Sequence, residues 1–249
     1  MLRAIITLGV VLWAGACSAA TLAEQAADIL SATQTEGGFI VHLNCGDGQL
    51  TTALRVDARY QVQGLDRDED TVGLARQNVK QAGVYGEVTI DQLRGSQLPY
   101  IDNLVNLLVA RDLGDVSMAE VMRVLTPNGS AYLQVDGEWQ VHKKPRPDSI
   151  DEWTHYLHDA SGNAVAHDDE VGPPRHLQWL GSPRWSRHHD RMASMSAMVS
   201  SGGRIFYIMD EGSRISIQMP PRWKLIARDA FNGTVLWKRD IPTWHSHLW

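Results

Sequence analysis

The chain has 249 residues, enough for one large or two small domains, and its 43% hydrophobic and 21% charged residues exclude a disordered or fibrous protein. A formal net charge of −6 argues against a general nucleic-acid binder, which would carry a basic face. Two cysteines, Cys17 and Cys45, cannot build a disulfide framework, and no Cys/His spacing reads as a zinc site.

At the start, Arg3 precedes an apolar run over residues 4–16 that ends in Cys17-Ser18-Ala19-Ala20. A charged start, a short apolar core and a small-residue end are the parts of a secretory signal, with cleavage expected near Ala20. The run is shorter than the roughly 20 apolar residues of a membrane-spanning helix. Residues 1–20 therefore predict export to the periplasm or cell envelope. The alternatives are an uncleaved segment that associates with a membrane, or a cytoplasmic protein if the segment is no signal.

Next comes a regular alternation. Residues 23–35 read as a helix leading into Gly37-Gly38, and residues 39–43 as a buried strand. After a glycine turn, residues 50–56 read as a helix and 60–65 as a second strand. Residues 68–82 are helical, with Val72, Ala75, Val79 and Ala82 on one face and Gly83 as the stop. Residues 88–90 and 103–109 make two more strands. Ser117-Met118-Ala119-Glu120 is a capping box, opening a helix that runs to Leu125. Pro127-Asn128-Gly129 then turns the chain into a fifth strand over residues 131–135. Strands in near-continuous apolar runs, alternating with helices, predict an α/β fold: a doubly wound, mostly parallel, Rossmann-like sheet.

The first strand ends in Val41-His42-Leu43-Asn44-Cys45-Gly46-Asp47-Gly48, and the second ends in Gly64-Leu65-Asp66. Two glycines let the backbone approach a ligand, and the acid can accept hydrogen bonds from ribose hydroxyls. The turn lacks the third glycine of a dinucleotide fingerprint and the Gly-Lys-Ser/Thr of a phosphate loop, which tilts the reading away from NAD and ATP. These motifs, with Met118-Ala119-Glu120-Val121-Met122-Arg123-Val124-Leu125-Thr126-Pro127-Asn128-Gly129, resemble the successive motifs of class I S-adenosyl-L-methionine-dependent methyltransferases over residues 37–135. The resemblance implies that Asn44, Gly46 and Gly48 contact the methionine part of the cofactor. It places Asp66 on the ribose hydroxyls and Asp91 near the adenine edge. It implies a methyl acceptor as substrate but names neither the acceptor nor a catalytic residue. The sequence departs from the family in two ways: Asn44 stands where many members carry an acid, and the closing pair of strands after the fifth is not visible. S-adenosyl-L-methionine is also made in the cytoplasm, which conflicts with an exported chain.

Past residue 136 the character changes. Lys143-Lys144-Pro145-Arg146-Pro147 reads as part of a linker over residues 137–150. Seven of the nine tryptophans and eight of the ten histidines follow it, and the helical period disappears. Residues 203–209 and 223–229 read as strands, and Asn232-Gly233 as the turn of a hairpin that ends at Trp237. Ala227, Asp229, Gly233 and Trp237 resemble the repeat of the pyrroloquinoline-quinone dehydrogenase-like β-propellers, as residues 153–163 and 177–179 resemble the entry to its first blade. The resemblance implies that residues 151–249 are β-rich, with Trp237 packed at a blade interface and a protein partner for the propeller surface. Propellers close with four to eight four-stranded blades, and about one and a half fit here. A fragment of a longer chain, without the quinone cofactor, is the expectation.

No metal site is expected. Residues 66–70 alternate acids like a calcium loop, but Thr71 and Gln77 stand where glycine and glutamate are needed. His155, His158, His188 and His189 lack zinc spacing and suit polar roles between strands. Asn128-Gly129-Ser130 and Asn232-Gly233-Thr234 match glycosylation sequons but read as tight turns. The division is thus a leader (1–20), a methyltransferase-like domain (21–136), a linker (137–150) and the start of a propeller (151–249). Two functions follow: a methyltransferase fused to a propeller, or a non-catalytic exported scaffold with a degenerate methyltransferase fold.

Overall fold

Thr21 opens the first helix of the computed structural model with a complete capping box. Its hydroxyl accepts from the Glu24 amide, while the Glu24 carboxylate accepts from the Thr21 amide at 2.7 Å. The structure describes residues 21–170, 172, 176–183, 195–216 and 219–242. The expected leader, His188 and His189 lie outside the described residues. No described helix is long and apolar enough to cross a membrane.

The helix, α1 (Leu22–Thr33), is followed by β1 (Gly38–Leu43), α2 (Gln49–Ala53), β2 (Tyr60–Asp66), α3 (Glu69–Gln81), β3 (Val88–Gln92), β4 (Val105–Ala110), α4 (Met118–Val124) and β5 (Leu125–Val135). The strands form one sheet in the order β3-β2-β1-β4-β5 with every pair parallel. Ile40, Val62, Ile90, Leu107 and Val109 face α1 and α3 in one core, and Val41, Leu43, Leu65, Leu108 and Ala110 face α4 in the other. Burial on both faces is why these strands read as unbroken apolar runs. The expected doubly wound, Rossmann-like α/β fold is present.

Three local expectations need correction. The linker expected over residues 137–150 contains β6 (Glu138–Lys143), which pairs antiparallel with β5. Asp136 and Gly137 between the strands both have positive φ, the backbone of a tight hairpin turn, and Trp139 stacks on Tyr132 with ring centroids 4.7 Å apart. The capping box expected at Ser117 is half formed. Ser117 accepts from the Glu120 amide, but the Glu120 carboxylate binds the Leu98 amide and Arg123 instead of turning back. The 127–129 turn lies inside β5 and not ahead of it. The Lys144 ammonium reaches across to the carbonyl of Leu125 and the side-chain oxygen of Asn103, holding the irregular start of that strand.

A second sheet contains β7 (Met195–Ser201), β8 (Arg204–Asp210), β9 (Trp223–Asp229) and β10 (Val235–Asp240), an antiparallel meander in the order β10-β9-β8-β7. β7, a Met- and Ser-rich strand, has no counterpart in the sequence reading. It joins β8 through Gly202-Gly203, both at positive φ. Among the described residues this is one four-stranded sheet. Trp237, expected to be packed at an interface, is 42% exposed and touches Phe206 at a ring distance of 6.1 Å. Trp179 takes the packing role at the β9–β10 turn: its indole covers Gly233 and its ring nitrogen donates to the Ala230 carbonyl at 2.9 Å. The buried Arg228 guanidinium is satisfied by the Tyr207 hydroxyl and by the carbonyls of Gly233 and Ser182.

The two sheets meet at Asn106. Its side-chain oxygen accepts from the Phe39 amide (2.7 Å) and from Asn232 Nδ2 (2.6 Å), while its nitrogen donates to Asp229 Oδ2 (2.7 Å). Asp229 Oδ1 holds the amides of Phe231 and Asn232. Burial pushes the Asp229 carboxyl above the usual carboxylate range, and the Asn106 bond and the two amide bonds oppose that push. Gly38 leaves room for this cluster, since a Cβ there would occupy the place of the Asn106 amide. Replacing Asn106 by Leu strips partners from Phe39 N, Asn232 and Asp229, at about 1–3 kcal/mol for each buried group left unsatisfied. Chemical denaturation of Asn106→Leu is expected to show a loss of at least that size; an unchanged midpoint would mean the sheets are held elsewhere.

Candidate cofactor site

The strand order reverses between β1 and β4: the chain runs outward from β1 to β2 and β3, then returns to β4 on the other side. Such a switch point opens a crevice at the carboxyl ends of the strands, where open α/β sheets bind ligands. The Asn106 junction lies at the opposite, amino-terminal end of β4, so the second sheet leaves the crevice uncovered.

The turn after β1 forms the floor. Asn44, Gly46 and Gly48 all have positive φ, at 53°, 57° and 75°. Asparagine tolerates that region better than other side chains, and glycine occupies it freely. A Cβ on Gly46 would meet nothing within 4 Å, whereas one on Gly48 would sit 3.0 Å from the Ala75 Cβ. Gly46 thus faces open space and Gly48 packs the turn against α3. Asn78 of α3 donates to the Asp47 carbonyl at 2.9 Å and fixes the same loop from behind.

Asp66, at the end of β2, binds this turn directly. Its Oδ2 accepts from the Gly46 amide at 3.0 Å, and its Oδ1 from the Asp68 amide at 3.2 Å. Each carboxylate oxygen keeps a further lone pair for a ligand hydroxyl. Asn44 donates through Nδ2 to the Asp112 carbonyl at 2.7 Å, tying the β1 turn to the loop after β4. The group it still offers is its amide oxygen, an uncharged acceptor.

Four of the five site residues read from the sequence come together here: Asn44, Gly46, Gly48 and Asp66. Asp91 is placed one register position back on β3, opposite Leu65, with its exposed carboxylate held by Arg76 at 3.1 Å and by the Gln92 amide at 2.8 Å. Gln92 is the residue in register with Asp66, and its side chain donates to the Arg67 carbonyl. Two further participants were missed in the sequence. Arg67 donates to the Gly95 carbonyl and lies 3.5 Å from Asp115, strapping together the loops that follow β2, β3 and β4. Asp112 supplies the carbonyl that orients Asn44. Only the position of Arg111-Asp112 directly after an apolar strand marked that loop, because backbone carbonyls leave no residue-type signature.

Two reactive-looking groups below the crevice are chemically quiet. Burial and the nearby Asp66 push the Cys45 thiol up to about 12, so it stays protonated and packs as an apolar side chain. His42 is buried with its Nδ1 2.8 Å from the Thr51 hydroxyl. Burial first, and the Arg111 charge second, lower its pKa to about 4. Among the described residues no cluster of three or more His, Cys, Asp or Glu side chains could hold a metal ion. His158 instead pairs with Asp151 at 2.6 Å, which also takes the His167 amide.

Part of the chain, centred on the parallel sheet, is similar to known proteins. Residues 40–129 match a family described as a methyltransferase domain. A demethylmenaquinone methyltransferase of Lactobacillus johnsonii is 31% identical over 105 residues, covering 39% of this chain and 43% of that enzyme. A crystal structure assigned as an S-adenosyl-L-methionine-dependent methyltransferase of Methanococcus maripaludis is 23% identical with a TM-score of 0.41, over 44% of this chain and 52% of that one. The [4+2]-cyclase SpnF is 24% identical with a TM-score of 0.41, over 45% of this chain and 43% of its own. The chain thus spans less than half of the curated relative it matches.

His42 makes the stability of this half depend on acid. The unfolded chain takes up a proton there as pH falls through about 6.5, while the folded chain stays neutral until about 4. Between those values acid favours the unfolded state. The stability contributed by neutral, buried His42 is present above pH 6.5 and is lost towards pH 4, by roughly 3 kcal/mol in all at about 1.4 kcal/mol per pH unit. His42→Asn, which keeps a polar group near Thr51 but cannot titrate, is expected to flatten that limb in denaturation series at pH 7, 6, 5 and 4. An unchanged slope would assign the acid sensitivity to other groups.

Proposed function

We propose that the parallel-sheet half binds S-adenosyl-L-methionine in the β1–β4 crevice and transfers its methyl group to an acceptor entering over the strand ends. The observation that carries this reading is the Gly46 amide bound to Asp66 at 3.0 Å, which joins an open glycine turn to an acid able to receive a ribose diol. The methyltransferase family match over residues 40–129 supports it.

In this reading each side chain has a limited task. Gly46 and Gly48 let the backbone approach the methionine part, and the amide oxygen of Asn44 accepts from its ammonium. A neutral oxygen gives a weaker bond there than a carboxylate would. Asp66 takes the ribose hydroxyls. In this reading Gln92 meets the adenine edge, with Asp91 beside it, one carboxylate oxygen of which is held by Arg76 and the Gln92 amide. The bound cofactor supplies a sulfonium carbon for in-line displacement, a reaction that depends mainly on positioning. The acceptor is left undefined, and no side chain is assigned as a base. The β7–β10 meander, with Asp229, Gly233 and Trp237 at the repeat positions, we read as one propeller blade without a quinone site.

The half-exposed Trp237 and the uncharged Asn44 favour a second reading. There, residues 1–20 direct export to the periplasm or cell envelope, and the chain is a non-catalytic scaffold that meets a protein partner through the blade.

Calorimetry of the full chain with S-adenosylhomocysteine distinguishes the two. Saturable binding below millimolar ligand is expected, and Asp66→Asn should weaken it by about 1.5–3 kcal/mol, the range for a hydrogen bond to a charged group. No heat at millimolar ligand would remove the enzyme reading. Mass measurement of the protein from its native cell, showing loss of residues 1–20, would support the exported scaffold.

A further inference from the structure

A cleft of about 510 Å³ lies between the two sheets, beside the Asn106 junction and at the end of the parallel sheet opposite the cofactor crevice. Its walls come from the loop between α1 and β1, the Pro127-Asn128-Gly129 turn, β6, β8 and β10. A volume of this size at a junction between two structural units falls in the range of small-molecule sites.

Two features give the cleft a chemistry. The first is an aromatic wall. Trp237 and Phe206 both line it, their rings 6.1 Å apart, and the Trp237 indole remains 42% exposed. A large flat ring left half in water is an available stacking surface. The second is an excess of accessible positive charge. Arg59, Lys143 and Arg204 line the cleft with Glu36 and Asp229. Asp229 is buried and committed to Asn106 and to its own turn. Arg59 is held by Asp57 through bonds of 2.7 and 3.0 Å. Arg204 meets Glu36 at 3.4 Å, and both side chains are well exposed, so that pair contributes little and exchanges easily. Lys143 has no acidic partner among the described residues.

We propose that this cleft is a second binding site, for a small anion carrying a flat aromatic or heteroaromatic ring. The ring lies on Trp237 and Phe206, and the carboxylate, sulfonate or phosphate reaches Arg204 and Lys143. The site is separate from the cofactor crevice and depends on both sheets, which gives the Asn106 junction a role beyond packing.

The test is calorimetry of the full chain with 1-naphthyl phosphate, against 1-naphthol and inorganic phosphate as controls. One molecule of 1-naphthyl phosphate per chain is expected to bind, with 1-naphthol and phosphate each at least about tenfold weaker. Trp237→Ala should reduce affinity about tenfold or more and Trp237→Phe much less; Arg204→Gln combined with Lys143→Gln should also cost about tenfold. Unchanged far-ultraviolet circular dichroism would show that each variant is folded. An unchanged affinity in Asp66→Asn would place the site outside the crevice. Binding that never saturates, that is equal in folded Trp237→Ala, or that disappears in Asp66→Asn would overturn the proposal.

Discussion

The side-chain amide of Asn106 is the constraint around which the two halves are arranged. It sits at the amino-terminal end of β4 and is read by both sheets: by the Phe39 amide on one side, and by Asn232 and Asp229 on the other. An amide suits this position because it presents an acceptor and a donor from one rigid plane. A carboxylate in its place would face Asp229, and an apolar side chain would leave buried polar groups without partners. Because the junction forms at this end of the sheet, the carboxyl ends of the strands stay clear.

The same economy governs the crevice. The parallel sheet covers its strands on both faces, and the polar side chains of the crevice lie at the strand ends. Asn44, Asp66 and Gln92 emerge there on neighbouring strands, and the hydrogen bonds they make are mostly to one another's loops: Gly46 to Asp66, Asn44 to Asp112, Gln92 to Arg67. Backbone groups thus hold the polar side chains at the mouth of the crevice.

Much of this was legible in the sequence because it depends on local rules. Apolar runs bounded by turns gave all five parallel strands, and the spacing of Val72, Ala75 and Val79 gave the face of α3. Asn44-Cys45-Gly46-Asp47-Gly48 and Asp66 gave the two ends of the Gly46–Asp66 contact. Asp136-Gly137 is also a local hairpin signal, but the basic, proline-containing stretch beside it concealed β6. β7 was not legible at all: Met195–Ser201 has too few branched or aromatic residues to mark a strand, and pairing with β8 makes it one.

What the sequence by itself determined is the order of elements in the first half, the turn chemistry at Gly46 and Gly48, and the hairpin that closes through Gly233. These follow from side-chain period and from backbone conformations that few residues tolerate. Tertiary structure decided the rest: that Glu120 turns to Leu98 and Arg123 instead of its own cap, that Asp91 is drawn to Arg76 while Gln92 lies beside Asp66, and that Trp237 stays half open while Trp179 covers the turn. It also decided that a single asparagine, unremarkable within an apolar strand, joins the two sheets. Each of these outcomes is a choice among partners distant in sequence, and no local pattern carries the free-energy difference between them.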